Sequence, residues 1–248
     1  MAKYNKKIKK RLNLNINDYK EYCEIYSSIE IELIPVNDKF GKFININEKN
    51  SLYYHIYFNN NNKEETKRNY LKKNEKVNKI NIIIDYQVES LFVLFKDCVC
   101  IESINFKKFY RNNIINLSWM FCKCSSLKEI NLSNFNTNNV TDMQGMFYGC
   151  SSLEEINLPN FNTNNVKDMG YMFYGCSSLK EINLSNFNTN NVTDMSGMFL
   201  KCSSLKEINL SNFNTNNVSN MRGMFGGCSD EIKKKIKEQI KNIKEEAL

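Results

Sequence analysis

The sequence predicts an α/β repeat solenoid, in which a curved parallel β-sheet carries short helices on its convex side. Two observations lead to this fold class. The first is a series of six cysteines at intervals of 26 residues: Cys98, Cys124, Cys150, Cys176, Cys202 and Cys228. The second is that the segment CSSLKEINLSNFNTNNVTDMQGMFYG, which begins at Cys124, is followed by three near-copies. A fixed period of about 20–50 residues indicates stacked units that bury their apolar faces against their neighbours.

Four segments follow from this pattern. Residues 1–26 are interpreted as a basic tail that runs into a short helix, and residues 27–76 as a small β-rich N-terminal unit. Residues 77–228 hold the 26-residue repeats, and residues 229–248 are predicted to form an amphipathic capping helix. The first repeat diverges from the later copies, because its strand lies two residues closer to the apolar residues that follow. Divergence is expected where a terminal repeat must seal a stack.

Three strands are predicted in the N-terminal unit. Apolar residues alternate with glutamates over residues 29–33, which is the pattern of a half-buried strand. Residues 43–46 and the aromatic segment 51–58 are predicted as the second and third strands. Residues 59–69 are predicted as a polar loop.

Each repeat is predicted to begin with a short strand. In LKEINLSNF, the two-residue alternation of a strand points Ile130 and Leu132 inward. The outward residues of this strand are Glu129, Asn131 and Ser133. The segment follows the pattern L-x-x-L-x-L-x-x-[N/C/F], so the predicted sheet is leucine-rich-repeat-like.

A polar turn and a return segment complete the repeat. The NTNN turn is expected to bond the backbone and to stack as Asn and Thr ladders. In VTDMQGMFYGC the apolar residues recur at spacings of three, four and three, which predicts one face of a short helix. These residues are Val140, Met143, Phe147 and Cys150, with Thr141 and Asp142 as capping residues.

The C-terminal segment carries the signals of a helix that covers the open end of the stack. Ser229 is a suitable N-cap, and Asp230 and Glu231 follow in the first turn. One apolar face is formed by Ile232, Ile236, Ile240 and Ile243.

The net charge of +7 does not indicate a nucleic-acid-binding surface on the repeats. Residues 1–11 contain six basic side chains and no acid, whereas residues 127–228 contain six basic and eight acidic side chains, a net charge of −2. Because nucleic-acid interfaces need a basic patch on the folded surface, no nucleic-acid partner is expected for the repeats. The sequence also lacks an apolar run of about 18–20 residues and a recognisable signal peptide, so we expect a cytoplasmic or otherwise intracellular protein.

The repeat resembles a known family. The string NFNTNNVTDMSGMFLKCSSLKEINL is similar to the 26-residue, mycoplasma-lipoprotein-type repeat of BspA-like leucine-rich-repeat surface proteins. The resemblance covers residues 77–228 and implies a curved parallel-β solenoid. It also implies binding of host proteins, matrix proteins or neighbouring cells, although the chain shows no lipidated cysteine or wall anchor. The family supplies no catalytic residues.

The sequence does not predict an enzyme. His55 is the only histidine, and it lies in an aromatic strand pattern, where a structural role is expected. The periodic carboxylates Asp142, Asp168 and Asp194 are interpreted as capping residues that recur because the repeat recurs. No cofactor is predicted.

The cysteines are interpreted as a column of buried, reduced thiols. Stacked equivalent positions point their Cβ atoms in parallel, which does not suit a disulfide, and a linear row does not suit tetrahedral zinc. One alternative stays open, because two C-x-C pairs on adjacent turns could form a four-thiolate metal site. These residues are Cys98, Cys100, Cys122 and Cys124.

The outward face of the sheet is the candidate binding surface. It carries one column of glutamates and one of asparagines: Glu129, Glu155, Glu181 and Glu207, and Asn131, Asn157, Asn183 and Asn209. We expect a non-enzymatic module that binds a macromolecular partner, a protein, through this surface. The alternative is a secreted or surface-exposed adhesin of the BspA-like type, exported by a route that the sequence does not show.

Overall fold

The computed structural model describes residues 27–61, 64–240 and 242–248. The tail and short helix predicted for residues 1–26 lie outside these ranges. The described strands are β1 (Ile29–Pro35), β2 (Gly41–Lys42), β3 (Tyr54–Phe58), β4 (Glu65–Thr66), β5 (Tyr70–Leu71), β6 (Ile80–Ile84), β7 (Ile101–Lys108), β8 (Glu129–Asn131), β9 (Glu155–Ile156), β10 (Glu181–Asn183) and β11 (Glu207–Asn209). Helix α1 spans Asp230–Gln239, and two 3-10 helices span Glu48–Tyr53 and Glu245–Ala247.

The N-terminal unit and the first repeats share one sheet, with strand order β4-β3-β6-β1-β7-β8. Strand β1 lies between β6 and β7 and pairs antiparallel with both, with Ile31 opposite Ile82 and Phe106. The predicted strand at residues 29–33 is confirmed, and its apolar residues are buried. The strand of the first repeat, β6, is nevertheless separated from β7 by β1. The predicted boundary after residue 76 therefore does not divide two sheets.

Residues 43–46 do not form the predicted strand. Instead, Asn45 covers the first return segment of the repeats. Its backbone N–H donates to the Leu94 carbonyl at 2.7 Å. Its side-chain amide donates to the carbonyls of Val93 and Lys96, at 3.0 and 2.7 Å. These carbonyls face the end of the stack, where no preceding repeat supplies a donor.

The other two N-terminal predictions hold in part. The predicted strand at residues 51–58 begins only at Tyr54, because Glu48–Tyr53 forms a 3-10 helix. The predicted polar loop at residues 59–69 contains the two-residue strand β4, which pairs antiparallel with β3.

Strands of successive repeats pair in parallel with a register of 26 residues. Ile104 of β7 lies opposite Ile130 of β8, and Ile182 of β10 lies between Ile156 and Ile208. Strands β9, β10 and β11 form a separate three-stranded sheet, so the ladder is interrupted between β8 and β9. On the basis of these in-register ladders we propose that the repeats form a solenoid.

The return segments of the repeats contain no helix in the described residues, so the prediction of helices on the convex side is wrong. Alternate backbone N–H groups point to the next repeat instead. Gly145 donates to the Gly170 carbonyl and Phe147 to the Met172 carbonyl, both at 2.8 Å. The N–H groups between them close short turns, as where Tyr148 donates to the Gly145 carbonyl at 3.0 Å.

Two left-handed positions in each repeat explain why a helix cannot form there. Gly145 and Gly149 have φ values of 57° and 69°. This conformation interrupts a right-handed helix and is most easily adopted by glycine. Non-glycine residues at equivalent positions adopt it too, namely Val93, Asp97, Trp119, Lys123, Tyr171 and Lys201. Successive turns return an apolar side chain to the core every three or four residues, which is also the spacing of a helix face.

The core is a set of columns in which equivalent residues stack. One column consists of Phe95, Phe121, Phe147, Phe173, Phe199 and Phe225, all buried. Neighbouring rings are 5.3–5.7 Å apart between centroids and are nearly parallel. Each such contact adds about 0.5–1.5 kcal/mol beyond the burial of apolar area.

The NTNN turns form the predicted polar ladders. Thr163 Oγ1 donates to the Asn188 carbonyl at 2.9 Å and accepts the Asn188 N–H at 2.8 Å. The same pair of bonds recurs one repeat earlier from Thr137 and one repeat later from Thr189. Each buried threonine therefore satisfies both backbone groups of one residue in the next turn.

The last repeat is closed by α1 and by the residues after it. Ser229 caps α1, as predicted, by accepting the Ile232 N–H at 3.3 Å. The Gln239 side chain takes the place of a further strand, because it accepts the Leu210 N–H at 2.8 Å and donates to the Ile208 carbonyl at 2.9 Å.

The predicted helix at residues 229–248 is too long, since α1 ends at Gln239. The carbonyls of Glu246 and Ala247 instead accept the N–H groups of Gly223 and Phe225, at 2.6 and 2.7 Å. These residues take the place of a further return segment.

We predict that Thr163→Val lowers the free energy of unfolding by about 2 kcal/mol. Valine has the same shape but leaves the N–H and carbonyl of Asn188 without partners, and each orphaned buried group costs about 1–3 kcal/mol. Urea denaturation followed by circular dichroism measures the change. The matched control is Thr193→Val, whose hydroxyl is exposed and donates only to the Lys167 carbonyl. Equal losses in the two variants would contradict the ladder's role.

Candidate binding groove

The outward faces of β8 to β11 line a groove with a volume of about 980 Å³. All eight predicted site residues are exposed. The structure brings seven of them to the groove: Glu129, Glu155, Asn157, Glu181, Asn183, Glu207 and Asn209. Asn131 lies on β8 but outside the lining. We call this surface the strand-face groove.

The glutamates form an in-register column across the groove. Glu155, Glu181 and Glu207 lie opposite one another in the parallel pairs, and neighbouring strands are about 4.8 Å apart. Glu207 is paired with Lys235 of α1 at 2.8 Å. Within the described residues, Glu129, Glu155 and Glu181 have no basic partner within 4.0 Å. Three carboxylates of the column therefore face the groove without an ion-pair partner in the described residues, although the charge of Glu155 contributes to the raised pKa of Lys180.

The adjacent column behaves differently, because it contains both glutamates and lysines. Lys128 pairs with Glu102 at 3.4 Å, and Lys180 pairs with Glu154 at 2.5 Å. A hydrogen bond from Lys180 lowers the pKa of Glu154 and raises that of the lysine. Both groups are exposed, so such pairs add little stability. The next member of the column, Lys206, is exposed and has no acidic partner within 4.0 Å in the described residues.

The asparagine column has a structural role in three of its four members. The Oδ1 atoms of Asn131, Asn183 and Asn209 accept the backbone N–H two residues later, at 3.0–3.1 Å. This bond fixes the turn that ends each strand. Asn157 has no such bond, because Pro159 stands two residues later and has no N–H. Its side-chain oxygen therefore remains available in the groove.

The cysteines occur as buried free thiols. Cys150, Cys176 and Cys202 each donate the S–H to a phenylalanine carbonyl of the preceding repeat, at 3.1–3.2 Å. All eight cysteines in the described residues are buried and free. Burial raises the pKa of the Cys176 thiol to about 12 and that of Cys228 to about 11. Only a protonated thiol can donate this hydrogen bond. The cysteine column therefore fills space in the core and donates hydrogen bonds to backbone carbonyls.

The alternative of a four-thiolate metal site is not supported by the geometry. No group of three or more potential ligands is arranged to hold a metal in the described part of the chain. The thiols are directed to separate carbonyls: Cys98 to Lys96, Cys100 to Lys42 and Cys124 to Phe95.

His55 lies on β3 of the six-stranded sheet, between two carboxylates. Its ring nitrogens are 3.3 Å from Glu65 and 3.2 Å from Asp85. The Asp85 carbonyl also accepts from Arg111, at 2.9 Å. Arg111 is fully buried, and two of its guanidinium nitrogens have no hydrogen-bond partner among the residues that the structure describes. Burial lowers its pKa to about 10. Sequence reasoning missed this arginine, which no motif or periodicity marks.

A ladder of acidic and amide side chains runs along the start of the return segments. Its members are Asn116, Asp142, Asp168, Asp194 and Asn220, joined by parallel bridges. The Oδ1 of each aspartate accepts the N–H two residues later, at 2.8–2.9 Å. This confirms that the aspartates cap, although they cap turns and not helices. Burial raises the pKa of Asp168, opposed by the hydrogen bond from Gly170, and the charges of Asp194 and Asp142 raise it further.

An aromatic stack covers the outside of the return segments. The rings of Tyr148 and Tyr174 are 4.4 Å apart and nearly parallel. Trp119 contacts Tyr148 at 5.5 Å, and the Lys201 amine lies 5.6 Å from the centre of Tyr174. The ring faces therefore contact one another and a cation of the same chain.

The stacked 26-residue units define a repeat protein. The chain belongs to the family described as Mycoplasma protein of unknown function, DUF285, whose sequence model matches residues 89–182 and 154–245. The two matches together span residues 89–245, which is more than half of the chain. Comparisons with curated proteins and with solved structures gave no match. Within the described ranges, no helix has the length and apolar character needed to cross a membrane.

We predict that the eight described cysteines are protected from thiol reagents in the folded protein. Burial keeps the thiols protonated, and the thiolate is the reactive form. Labelling at neutral pH, with and without denaturant, followed by mass spectrometry counts the modified thiols. The eight cysteines should react only after denaturant is added. Rapid labelling of the native protein at Cys150 or Cys176, or a disulfide between two repeats, would contradict this prediction.

We predict that Asp168→Asn stabilises the protein at neutral pH and that this gain shrinks in acid. Because the folded-state pKa of Asp168 is raised, its ionised form opposes folding above that pKa, and protonation relieves the penalty as the pH falls. Relief of like-charge contacts should raise the Tm by about 2 °C at pH 7. Asn116 and Asn220 show that an amide fits this ladder.

Thermal denaturation at several pH values between about 7 and 4 measures the effect. Asp38→Asn, in an exposed turn, controls for the loss of one acidic group. A Tm difference between variant and wild type that grows as the pH falls would have the wrong sign.

Proposed function

We propose that this chain is a non-enzymatic interaction module that binds a protein partner through the strand-face groove. One observation carries the proposal: within the described residues, Glu129, Glu155 and Glu181 form a row of exposed carboxylates with no ion-pair partner within 4.0 Å. The threonine and cysteine columns bond a neighbouring repeat, whereas the aspartates and three of the four column asparagines fix turns within their own repeat. A row of exposed like charges opposes stability, which supports a role outside folding.

The resemblance to BspA-like leucine-rich-repeat proteins supports the same proposal. Those proteins bind other proteins, and the parallel strands of this chain form a comparable outward face. We propose an intracellular location, supported by the eight free cysteines, since disulfides are favoured in oxidising compartments. The rival proposal is a surface adhesin. Protease treatment of intact cells separates the two, because only a surface protein would be cleaved.

The test of partner binding uses point variants of the full chain. Removal of residues 27–76 is unsuitable, because β1 and β3 belong to the same sheet as β7. The bait is compared with a groove variant, Glu155→Lys with Glu181→Lys. The matched control is Glu89→Lys with Glu238→Lys, which makes the same charge change at exposed positions outside the groove.

We predict that a partner captured by the wild type is retained by the control and lost, by about tenfold or more, from the groove variant. Reversal of two central charges replaces attraction by repulsion in the groove. Quantitative mass spectrometry of the captured proteins measures the ratio. Equal capture by the groove variant and the control would rule out the groove as the binding surface.

A further inference from the structure

The charge of the strand-face groove determines which occupant would be complementary to it. Glu129, Glu155 and Glu181 are exposed at equivalent positions of β8, β9 and β10, with about 4.8 Å between the paired strands β9 and β10. No basic residue within the described ranges lies within 4.0 Å of these three carboxylates. In the neighbouring column Lys128 and Lys180 are paired with Glu102 and Glu154, and Lys206 has no acidic partner within 4.0 Å in the described residues. A complementary occupant must therefore bring several cations in a row, because one exposed ion pair contributes very little alone.

The same chain contains a segment with this chemistry. Residues 1–11 carry six basic side chains and no acid: Lys3, Lys6, Lys7, Lys9, Lys10 and Arg11. Three of them, Lys7, Lys9 and Arg11, are spaced two residues apart, so an extended chain presents them on one side. The segment lies outside the described residues, and nothing in its own sequence balances its charge before Asp18.

The segment is close enough to reach the groove. The described chain starts two residues before β1, which lies next to β7 in the sheet. From β1 to β10 is four strand spacings, or about 19 Å. Residues 12–26 can span at most about 50 Å at 3.3–3.6 Å per residue. Covalent attachment raises the local concentration of the segment to about the millimolar range, which favours contacts that are individually weak.

We propose that residues 1–11 occupy the strand-face groove of their own chain, where their cations neutralise the glutamate column. The segment acts as a built-in competitor, so a partner must displace it to bind. The competition with a partner rests on the proposed function, but the occupancy of the groove does not.

The occupancy is tested without any partner, by zero-length carbodiimide cross-linking of the full chain. The reagent joins a lysine amine to a carboxylate only when the two are in contact, and mass spectrometry of the monomer fraction identifies the linked residues. We expect links from Lys6, Lys7, Lys9 or Lys10 to the groove glutamates. Raising the salt from about 0.02 M to about 0.5 M should reduce the yield at least fivefold, because exposed charges are screened.

Two double variants, one inside the groove and one outside it, are then compared. The cross-link from the segment to Glu129 is measured in each, because Glu129 is unchanged in both. Glu155→Lys with Glu181→Lys should reduce the link from the segment to Glu129 at least fivefold. Glu89→Lys with Glu238→Lys should leave it unchanged. Circular dichroism and the Tm establish that both variants are folded, and the salt titration of the wild type remains as a test if the groove variant is not.

Three results would overturn the proposal. Links to acids outside the groove would place the segment elsewhere, and an equal Glu129 link in both variants would show that the column does not hold it. Links found only in a dimer fraction would assign the segment to the groove of a second copy. Since no partner is present, these results stand whether or not a partner is captured in the separate pull-down experiment.

Discussion

The hydrogen bonds that join each repeat to the next, one period along the chain, are the constraint on which the structure depends. In the return segment, Phe147 donates to Met172 across the repeat boundary, and the polar turns are joined by pairs such as Thr163 with Asn188. A repeat alone would leave these groups unpaired and its phenylalanine exposed. This is why both ends need substitutes for a missing neighbour. Asn45 supplies donors at one end, and Gln239 and Ala247 supply partners at the other.

The period also decided what could be predicted from the sequence. A 26-residue register places equivalent side chains in columns, so the buried cysteines, the Asn and Thr ladders and the exposed glutamates all followed from position alone. The return segment did not follow, because a spacing of three and four fits both a helix and a series of turns. The glycines at 145 and 149 were the available signal, since two left-handed positions four residues apart exclude a helix.

The N-terminal part was harder to predict for a different reason. The alternation in residues 29–33 shows that a strand has one buried face, but it does not say which strands lie beside it. Insertion of β1 between β6 and β7 depends on contacts far apart in sequence. The burial of Arg111 could not be predicted either, because nothing in the neighbouring sequence marks this residue as interior. For the candidate groove, position predicted which residues are exposed, whereas the loss of the turn bond at Asn157 depended on Pro159.

The groove stands out because many other polar columns of the repeats make hydrogen bonds within the fold. A threonine copied in every repeat stabilises the stack, because its hydroxyl bonds the backbone of the next turn. The glutamates have the opposite effect, since each added copy places another carboxylate beside the last. The last copy is paired with Lys235 of α1, and in the neighbouring column Lys180 is paired with Glu154. The carboxylates left over lie in the middle of the groove, where an extended cationic segment can contact several of them at once. Such contacts are weak one by one and sensitive to salt. A site of this kind is therefore suited to exchange between a tethered segment and a partner, more than to permanent assembly.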